Sequence, residues 1–438
     1  MRAGSRTRSP RSAPRGAYCD TSGTVYEMPD FEPAFRVGRR FVRVERTELI
    51  RLPFGSELFS MPGRAPVFHD KRNGFTPVGR DGAGNEMWAA ASFLCSGYLR
   101  THLPAYVKSA DAPELPLWAY AGLVLIDGEF HAPAFRVDRD PRSDPALHLD
   151  DAALAAAARA VRKRYPDNRL VRQLERCATG YRCLCARNFF LGRHEAPLPS
   201  SPACNARCLG CLSYQDAEES GFCQSQERLD FAPTPEEIAQ VVLHHVERVD
   251  ASVASFGQGC EGEPLLRWRD LAKAVELVRA KTERGTITMN TNGSVPEGVK
   301  ALIDAGLDSL RVSLNSPTEE YYLRYYRPRN YGFDDVKRSL AVALEAGIFV
   351  SINLFFLPGF TDMETEVDSL RAFLREFPVN MIQARNLNMD PDLYLDRVGF
   401  RESEPTGVRA MIRRLRDEFP SIRIGYYNPA KETFARGH

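Results

Sequence analysis

The chain has almost no net charge, no apolar run long enough to cross a bilayer, and too few cysteines for its length to be held together by disulfides. Lys and Arg number 58 against 57 Asp and Glu, a formal charge of +1, which leaves no whole-chain case for binding bulk nucleic acid or a membrane surface. Apolar runs such as 117–126 fall well short of the roughly 20 residues that a spanning helix needs. The amino terminus carries Arg2, Arg6, Arg8, Arg11 and Arg15 among Ser, Pro and Gly without an apolar segment, so it reads neither as a signal peptide nor as an anchor. Residues 1–22 are expected to be a disordered basic tail. Ten cysteines among 438 residues are too sparse for a disulfide scaffold. Their clustering instead points to metal chemistry in a reducing compartment, and a cytoplasmic location is expected.

What the sequence does have is a hydrophobic content of 43% and a charged content of 26%, ordinary for a globular protein, and a length that suggests two or three domains. Its most informative stretch is Cys204-Asn-Ala-Arg-Cys208-Leu-Gly-Cys211. Thiolates are soft ligands suited to iron and zinc, and this spacing lets one loop wrap one metal centre. A cluster of four irons needs four outside ligands, so a loop supplying three leaves one iron open to a molecule other than protein. The competing reading is a structural zinc site in a binding or scaffold protein without redox chemistry. Zinc would want a fourth ligand, for which Cys223 is the candidate.

Around this loop the chain divides by pattern. Residues 23–148 are short and strand-like, punctuated by Pro and Gly: 41–46 alternates, and 123–128 ends in the turn signal Asp127-Gly128, so a small β-rich or α+β accessory domain is expected. Residues 149–194 read as a helical linker. Asp150 or Asp151 caps an alanine-rich helix that Pro166 stops, and a second helix runs from Arg169 to near Gly180. After the cysteines, Thr234, Pro235 and Glu237 form a capping-box helix start, followed by Ile238, Val241, Val242, Val246 and Val249 on one face. His244 and His245 on this helix are expected at its surface or edge. Strands at 196–200, 252–257, 286–290, 309–314, 350–355 and 380–384 alternate with helices starting near Leu265, Glu297, Phe333 and Met363, with Gly306 and Gly347 where helix C-caps should fall. Such alternation implies an α/β protein with right-handed crossovers and a parallel sheet. Residues 396–438 read as an extension with an Arg-rich helix at 406–419 and a possible extra strand at 422–427.

The cysteine spacing, followed by Gly262-Glu263-Pro264, then Asn290-Thr291-Asn292-Gly293, then Arg311-Val312-Ser313-Leu314-Asn315, resembles the core of the radical S-adenosylmethionine (radical SAM) enzymes. The resemblance implies a partial (β/α)6 TIM-like barrel over 195–395. It further implies a 4Fe–4S cluster on Cys204, Cys208 and Cys211, with S-adenosylmethionine chelating the fourth iron through its amino and carboxylate groups. An electron from a reduced ferredoxin or flavodoxin would then generate a 5′-deoxyadenosyl radical that abstracts hydrogen from a substrate. Gly262, Glu263, Asn290, Ser313 and Asn315 are the implied cofactor-binding residues. They fall at the carboxyl ends of strands, where a parallel barrel gathers its reacting groups. Asn292-Gly293 equally has a turn reading, and Arg385 suits either a substrate carboxylate or phosphate or a structural ion pair.

Two positions depart from the family pattern. Glu261 stands where Gly is usual before Gly262, and Gly210 stands where an aromatic residue often precedes the third cysteine. Cys177, Cys183 and Cys185 are candidates for an auxiliary cluster or are simply buried thiols. The absence of any cysteine after Cys260 argues against a SPASM or twitch domain, and no Asp-x-His-x-x-Gly pattern points to cobalamin. Peptide, nucleotide and small-metabolite substrates all remain open, since one fold hosts many reactions.

Overall fold

The computed structural model describes residues 13–140 and 144–435. Residues 1–12, most of the expected basic tail, lie outside them. The remainder of that stretch is not a tail: Arg15–Cys19 is a strand inside the amino-terminal sheet, paired with Val25–Met28, Trp88–Phe93 and Val124–Ile126. Ala17 and Cys19 are buried. The apolar alternation is only five residues long, and the arginines and glycines on its amino-terminal side mask it when composition is averaged.

The amino-terminal domain is antiparallel throughout. A nine-stranded sheet runs through Tyr98–Arg100, Glu129–Arg136, Val124–Ile126, Arg15–Cys19, Trp88–Phe93 and Tyr120–Ala121, with two smaller sheets beside it. Asp127 (φ 55°) and Gly128 (φ 76°) form the two-residue turn between Val124–Ile126 and Glu129–Arg136. Two left-handed residues in succession are what a twisted hairpin of this length requires. The alternation at 41–46 forms strand only over Arg40–Val42 before a short turn of 3-10 helix at Arg46–Glu48.

Three helices follow: α1 (Asp151–Arg164), capped by Asp150 through the Ala153 amide at 2.8 Å, α2 (Arg169–Thr179) and α3 (Leu184–Leu191). The second unit is a parallel sheet of seven strands in chain order: β1 (Glu195–Pro197), β2 (Val253–Phe256), β3 (Thr286–Thr291), β4 (Ser309–Leu314), β5 (Phe349–Phe356), β6 (Met381–Asn386) and β7 (Arg423–Gly425). The connecting helices are α4 (Pro235–Arg248), α5 (Trp268–Arg279), α6 (Pro296–Asp304), α7 (Glu319–Tyr326), α8 (Phe333–Glu345), α9 (Glu364–Glu376), α10 (Pro391–Arg397) and α11 (Val408–Glu418). The sheet is a partial barrel of seven strands rather than six. The carboxy-terminal extension is not an appendage, because α11 returns the chain so that β7 pairs in parallel with β6. A three-residue strand carries too short a pattern to weigh as sheet from sequence.

The capping box of α4 forms as its residues dictate: Thr234 Oγ1 accepts from the Glu237 amide at 3.2 Å, and the Glu237 carboxylate accepts from the Thr234 amide at 2.8 Å. Gly306 (φ 110°) and Gly347 (φ 71°) terminate α6 and α8 in the left-handed region. His244 and His245 are buried, not at a surface. His245 Nε2 lies 3.2 Å from the His194 carbonyl, while His244 packs edge-on against Tyr165 and Phe189 and meets Arg248 at 3.1 Å. The linker helices cover the face of α4 that would otherwise be solvated.

The two units are joined by arginines. Arg64 is fully buried and pairs with Asp390 at 2.6 Å, Arg36 with Asp392 at 3.0 Å, and Arg100 donates to the Leu387 carbonyl at 2.8 Å. Gly38 and Gly359 bring the two backbones into contact. The Gly38 amide donates to the Pro358 carbonyl at 2.8 Å, and a Cβ on Gly359 would stand 1.9 Å from the Gly38 nitrogen. The amino-terminal domain is thereby seated beside the carboxyl end of β6, over the end of the barrel that holds the cysteine loop.

Candidate active site

The cysteine loop follows β1 and is held in place by backbone pairing on two sides. On one side the Gly262 amide donates to the Ser201 carbonyl at 2.7 Å and the Glu263 amide to that of Ala203 at 2.8 Å. A Cβ at Gly262 would lie 2.0 Å from the Ala203 oxygen, so only glycine permits this approach. On the other side the Arg207 and Leu209 amides donate to the Tyr326 and Tyr325 carbonyls, each at 3.0 Å, at the end of α7. Asn205 ties the loop to the turn after β3 through Ser294 (2.9 Å) and Asn292 (2.8 Å). Gly293 (φ 71°) completes that turn, so Asn292-Gly293 has its turn role and also clamps the loop.

Cys204, Cys208 and Cys211 border one cavity of about 170 Å³, together with Arg228, Gly262, Glu263, Asn290, Asn292, Ser313 and Tyr326. Burial, and next the Glu263 charge, push the Cys204 thiol up to about 11, and burial raises Cys208 well above the usual thiol range. Arg228 reaches Cys211 Sγ at 3.6 Å and Ser213 Oγ at 3.2 Å, bringing a positive charge to the anionic end of the site. It lies in a polar loop with no spacing rule, and no sequence signal marks it.

The two carboxylates after β2 differ. Glu261, the departure from Gly, is buried and accepts five hydrogen bonds of 2.7–2.9 Å, from the amides of Ser200, Ser201, Gly257 and Gln258 and from Ser200 Oγ. It stitches the end of β1 to the end of β2. Glu263 accepts from the amides of Leu265 (2.9 Å) and Asn292 (2.8 Å) and from Thr291 Oγ1. Its burial raises its pKa to about 7. Among the described residues Oε2 receives only the Asn292 amide, which leaves it a further lone pair beside the cavity.

Of the other sequence-derived residues, Ser313 is half-buried and Asn290 buried, and both line the cavity. Asn315 does not. It is turned into the packing between α7 and α10, where Nδ2 donates to the Tyr394 hydroxyl and the Tyr321 carbonyl, both at 3.1 Å. It falls beyond the last residue of β4, so the inward alternation of Arg311 and Ser313 no longer governs it. Gly210 makes room for an aromatic residue from elsewhere: a Cβ there would lie 2.9 Å from the Tyr325 hydroxyl. Tyr325 and Tyr326 come from α7, a helix aromatic on several sides that sequence periodicity misses.

A second, larger cavity of about 520 Å³ adjoins the first, sharing Leu212, Gly257, Gln258, Gly259 and Asn290 as walls. It extends into the barrel past Arg311, Asn353 and Arg385. Arg385 lies 3.8 Å over the Tyr426 ring and, among the described residues, makes no ion pair. Of the candidate auxiliary cysteines, Cys183 lies within electrostatic reach of Cys177 and Cys185. Cys177 and Cys260 share a hydrogen bond that lowers the first thiol and raises the second, whereas Cys185 faces the large cavity.

The donor set fits a 4Fe–4S cluster with S-adenosylmethionine. Among the described residues no three His, Cys, Asp or Glu side chains converge on a point as they would around one ion. The three thiols instead surround a shared space, with Glu263 and Ser313 on the same walls. Cys223, the candidate fourth ligand of a zinc site, is exposed and outside those walls. No helix among the described residues is long and apolar enough to cross a membrane.

Residues 198–370 match the family model of the Radical SAM superfamily. Among curated proteins the chain is similar to GTP 3′,8-cyclase of Mycobacterium sp. (strain KMS), 31% identical over 218 residues, 48% of this chain and 56% of that protein. It is also similar to the FeMo cofactor biosynthesis protein NifB of Klebsiella pneumoniae, 28% identical over 182 residues, 38% of this chain and 37% of that one. The match spans less than two thirds of either relative. Among solved structures, methylornithine synthase (PylB) aligns with a TM-score of 0.39 at 16% identity over 65% of this chain and 74% of that one. Enzymes of the matched family use a 4Fe–4S cluster and S-adenosylmethionine. The family match starts at the end of β1 and takes in every thiol of the loop, so residues 198–370 form a Radical SAM superfamily domain within the chain.

Proposed function

We propose that this chain reductively cleaves S-adenosylmethionine at a 4Fe–4S cluster held by Cys204, Cys208 and Cys211 and directs the resulting hydrogen abstraction at a molecule bound in the adjoining cavity. The observation that carries the reading is the shared wall. The three thiols, Glu263 and Ser313 border one cavity, and Gly257–Gly259 and Asn290 border both that cavity and the larger one. When bound, the cluster and sulfonium cofactor supply the one-electron cleavage and the abstracting radical. The protein's part is to place them. Gly262 lets the Glu263 segment lie against the cysteine loop, and the open lone pair of Glu263 Oε2 accepts from the methionyl ammonium. Asn290 and Ser313 offer polar contacts to the ribose and carboxylate, and Tyr326 supplies the aromatic wall that Gly210 does not. Arg228 offsets negative charge next to Cys211. Arg385 faces the substrate. A reduced ferredoxin or flavodoxin is the proposed electron donor.

Anaerobic purification tests this. A brown protein with about four irons per chain that forms 5′-deoxyadenosine under reducing conditions, and a Cys204→Ala variant that loses most of its iron and all such activity, are the expected results. A colourless protein holding one zinc would sink the proposal.

A further inference from the structure

We infer that the interior of the barrel is an anion site, in which Arg311 and Arg385 together hold a carboxylate or phosphate group of a small polar substrate. The inference rests on the reading of the adjoining cavity as the radical SAM centre. Both side chains line the 520 Å³ cavity, a volume suited to a small molecule. Arg311 lies on β4 and Arg385 on β6, separated by β5, whose Asn353 faces the same space.

Each guanidinium is fixed, and among the described residues neither makes an ion pair. Arg311 Nη1 donates to Gln383 Oε1, and Gln383 in turn donates to Asn428 Oδ1 at 2.8 Å, while Arg311 Nε is buried with no partner among the described residues. Arg385 has one face covered by the Tyr426 ring at 3.8 Å, which leaves its N–H edge toward the cavity. Glu195, the one carboxylate on the same walls, lends its charge to Arg311 while its Oε1 accepts from Ser255 Oγ and from Asn428 Nδ2, and it makes no ion pair with either arginine among the described residues. Two like charges on the walls of one buried cavity are unfavourable, and burial with the Arg385 charge lowers the Arg311 pKa to about 9. Two guanidiniums against the single carboxylate of Glu195 leave a positive charge on these walls for a ligand anion to meet. The fork geometry of guanidinium groups suits the planar or tetrahedral oxygens of carboxylate and phosphate. Asn188, Asn290 and Asn353 each present a buried amide oxygen with no partner among the described residues. They are placed to accept from hydroxyl or amino groups on the rest of the molecule.

The test is calorimetric titration of the reconstituted, cluster-loaded protein at low ionic strength with inorganic phosphate and, separately, with glutarate. At least one probe should bind the parent, and which one does decides between a phosphate and a carboxylate substrate. Arg311→Gln and Arg385→Gln should each weaken that binding by about tenfold or more, the effect of removing a charge-assisted hydrogen bond. Arg311→Lys and Arg385→Lys should recover part of it, which separates lost charge from a damaged fold. Affinity for S-adenosylmethionine and its substrate-free cleavage to 5′-deoxyadenosine should be unchanged in the lysine variants. The inference is overturned if neither probe binds the parent or if the glutamine variants bind as the parent does. It is equally overturned if cofactor affinity falls with probe affinity, which would assign the arginines to the cofactor's own carboxylate. Iron content and 5′-deoxyadenosine from the parent decide the radical SAM reading separately from all of these.

Discussion

Glu261 and Glu263 are two residues apart, both buried, and chemically alike, yet their surroundings give them different tasks. Five donors converge on Glu261, so its carboxylate acts as a knot between the ends of β1 and β2. Glu261→Gln turns one acceptor oxygen into a donor that faces N–H groups. The expected cost is about 2–4 kcal/mol, read as a lower melting temperature together with reduced iron content, because the knot lies immediately before the cysteine loop. Asp362 gives the molecule a pH dependence of known sign. It accepts from the Gly359 amide at 2.6 Å, and burial raises its pKa from 3.8 to about 6. A carboxyl raised on folding keeps more protons in the native state than in the unfolded one between those values. Its contribution is therefore fully present below about pH 4 and is lost as pH rises through about 6, by roughly 3 kcal/mol at most. Asp362→Asn removes this dependence: between pH 4 and 7 the melting temperature of the variant should fall less, or rise more, than that of the parent.

At the scale of elements, Asp390 shows how the accessory domain is seated. It caps α10 through the Asp392 amide at 2.9 Å and pairs with Arg64 at 2.6 Å, with both side chains fully buried. Arg64→Ala leaves that carboxylate buried without its partner, an expected loss of about 3–5 kcal/mol. The double variant Arg64→Ala, Asp390→Asn keeps a cap and removes the orphan charge, so denaturant unfolding should find it more stable than the single variant. Nothing in the sequence points to this pair, because its members are 326 positions apart and each alone reads as a solvated charge. The barrel was legible for the opposite reason. Each strand and helix signals itself locally, as Thr234-Pro235-x-Glu237 does for α4 and as Gly306 and Gly347 do for the ends of α6 and α8. Elements without such marks give no local signal. Helix α7, Glu-Glu-Tyr-Tyr-Leu-Arg-Tyr-Tyr, has no clean apolar face and ends on Arg327 at φ 46° rather than on glycine. It nevertheless carries the two tyrosines against the cysteine loop. The same holds within the site: cysteine spacing marks the loop that borders the small cavity, whereas Arg228 and Arg311 are set by strand register and loop path, which single-residue chemistry does not encode.

Taken whole, the molecule places two cavities against one shared wall. The cysteine-lined cavity is built from barrel elements alone. The larger cavity is also walled by Phe93, Leu94, Ser96 and Ala119 of the amino-terminal domain, by Cys185 and Asn188 of α3, and by Tyr426–Asn428 after β7. The parts that vary most in pattern from the barrel thus surround the larger cavity, proposed to hold the substrate, and not the cysteine-lined one. A change in the amino-terminal domain should then separate substrate handling from cofactor chemistry. Ser96 is half-buried and lines the large cavity but not the small one, so Ser96→Trp adds volume to the roof without touching the cysteine loop. The variant should keep the parent's iron content and substrate-free formation of 5′-deoxyadenosine. Its affinity for whichever anionic probe binds the parent should fall by about tenfold, the scale of filling a pocket that a ligand of this size would occupy. A variant that lost iron and probe affinity together would mean that the two cavities are mechanically one and that the accessory domain supports the cluster as well as the substrate.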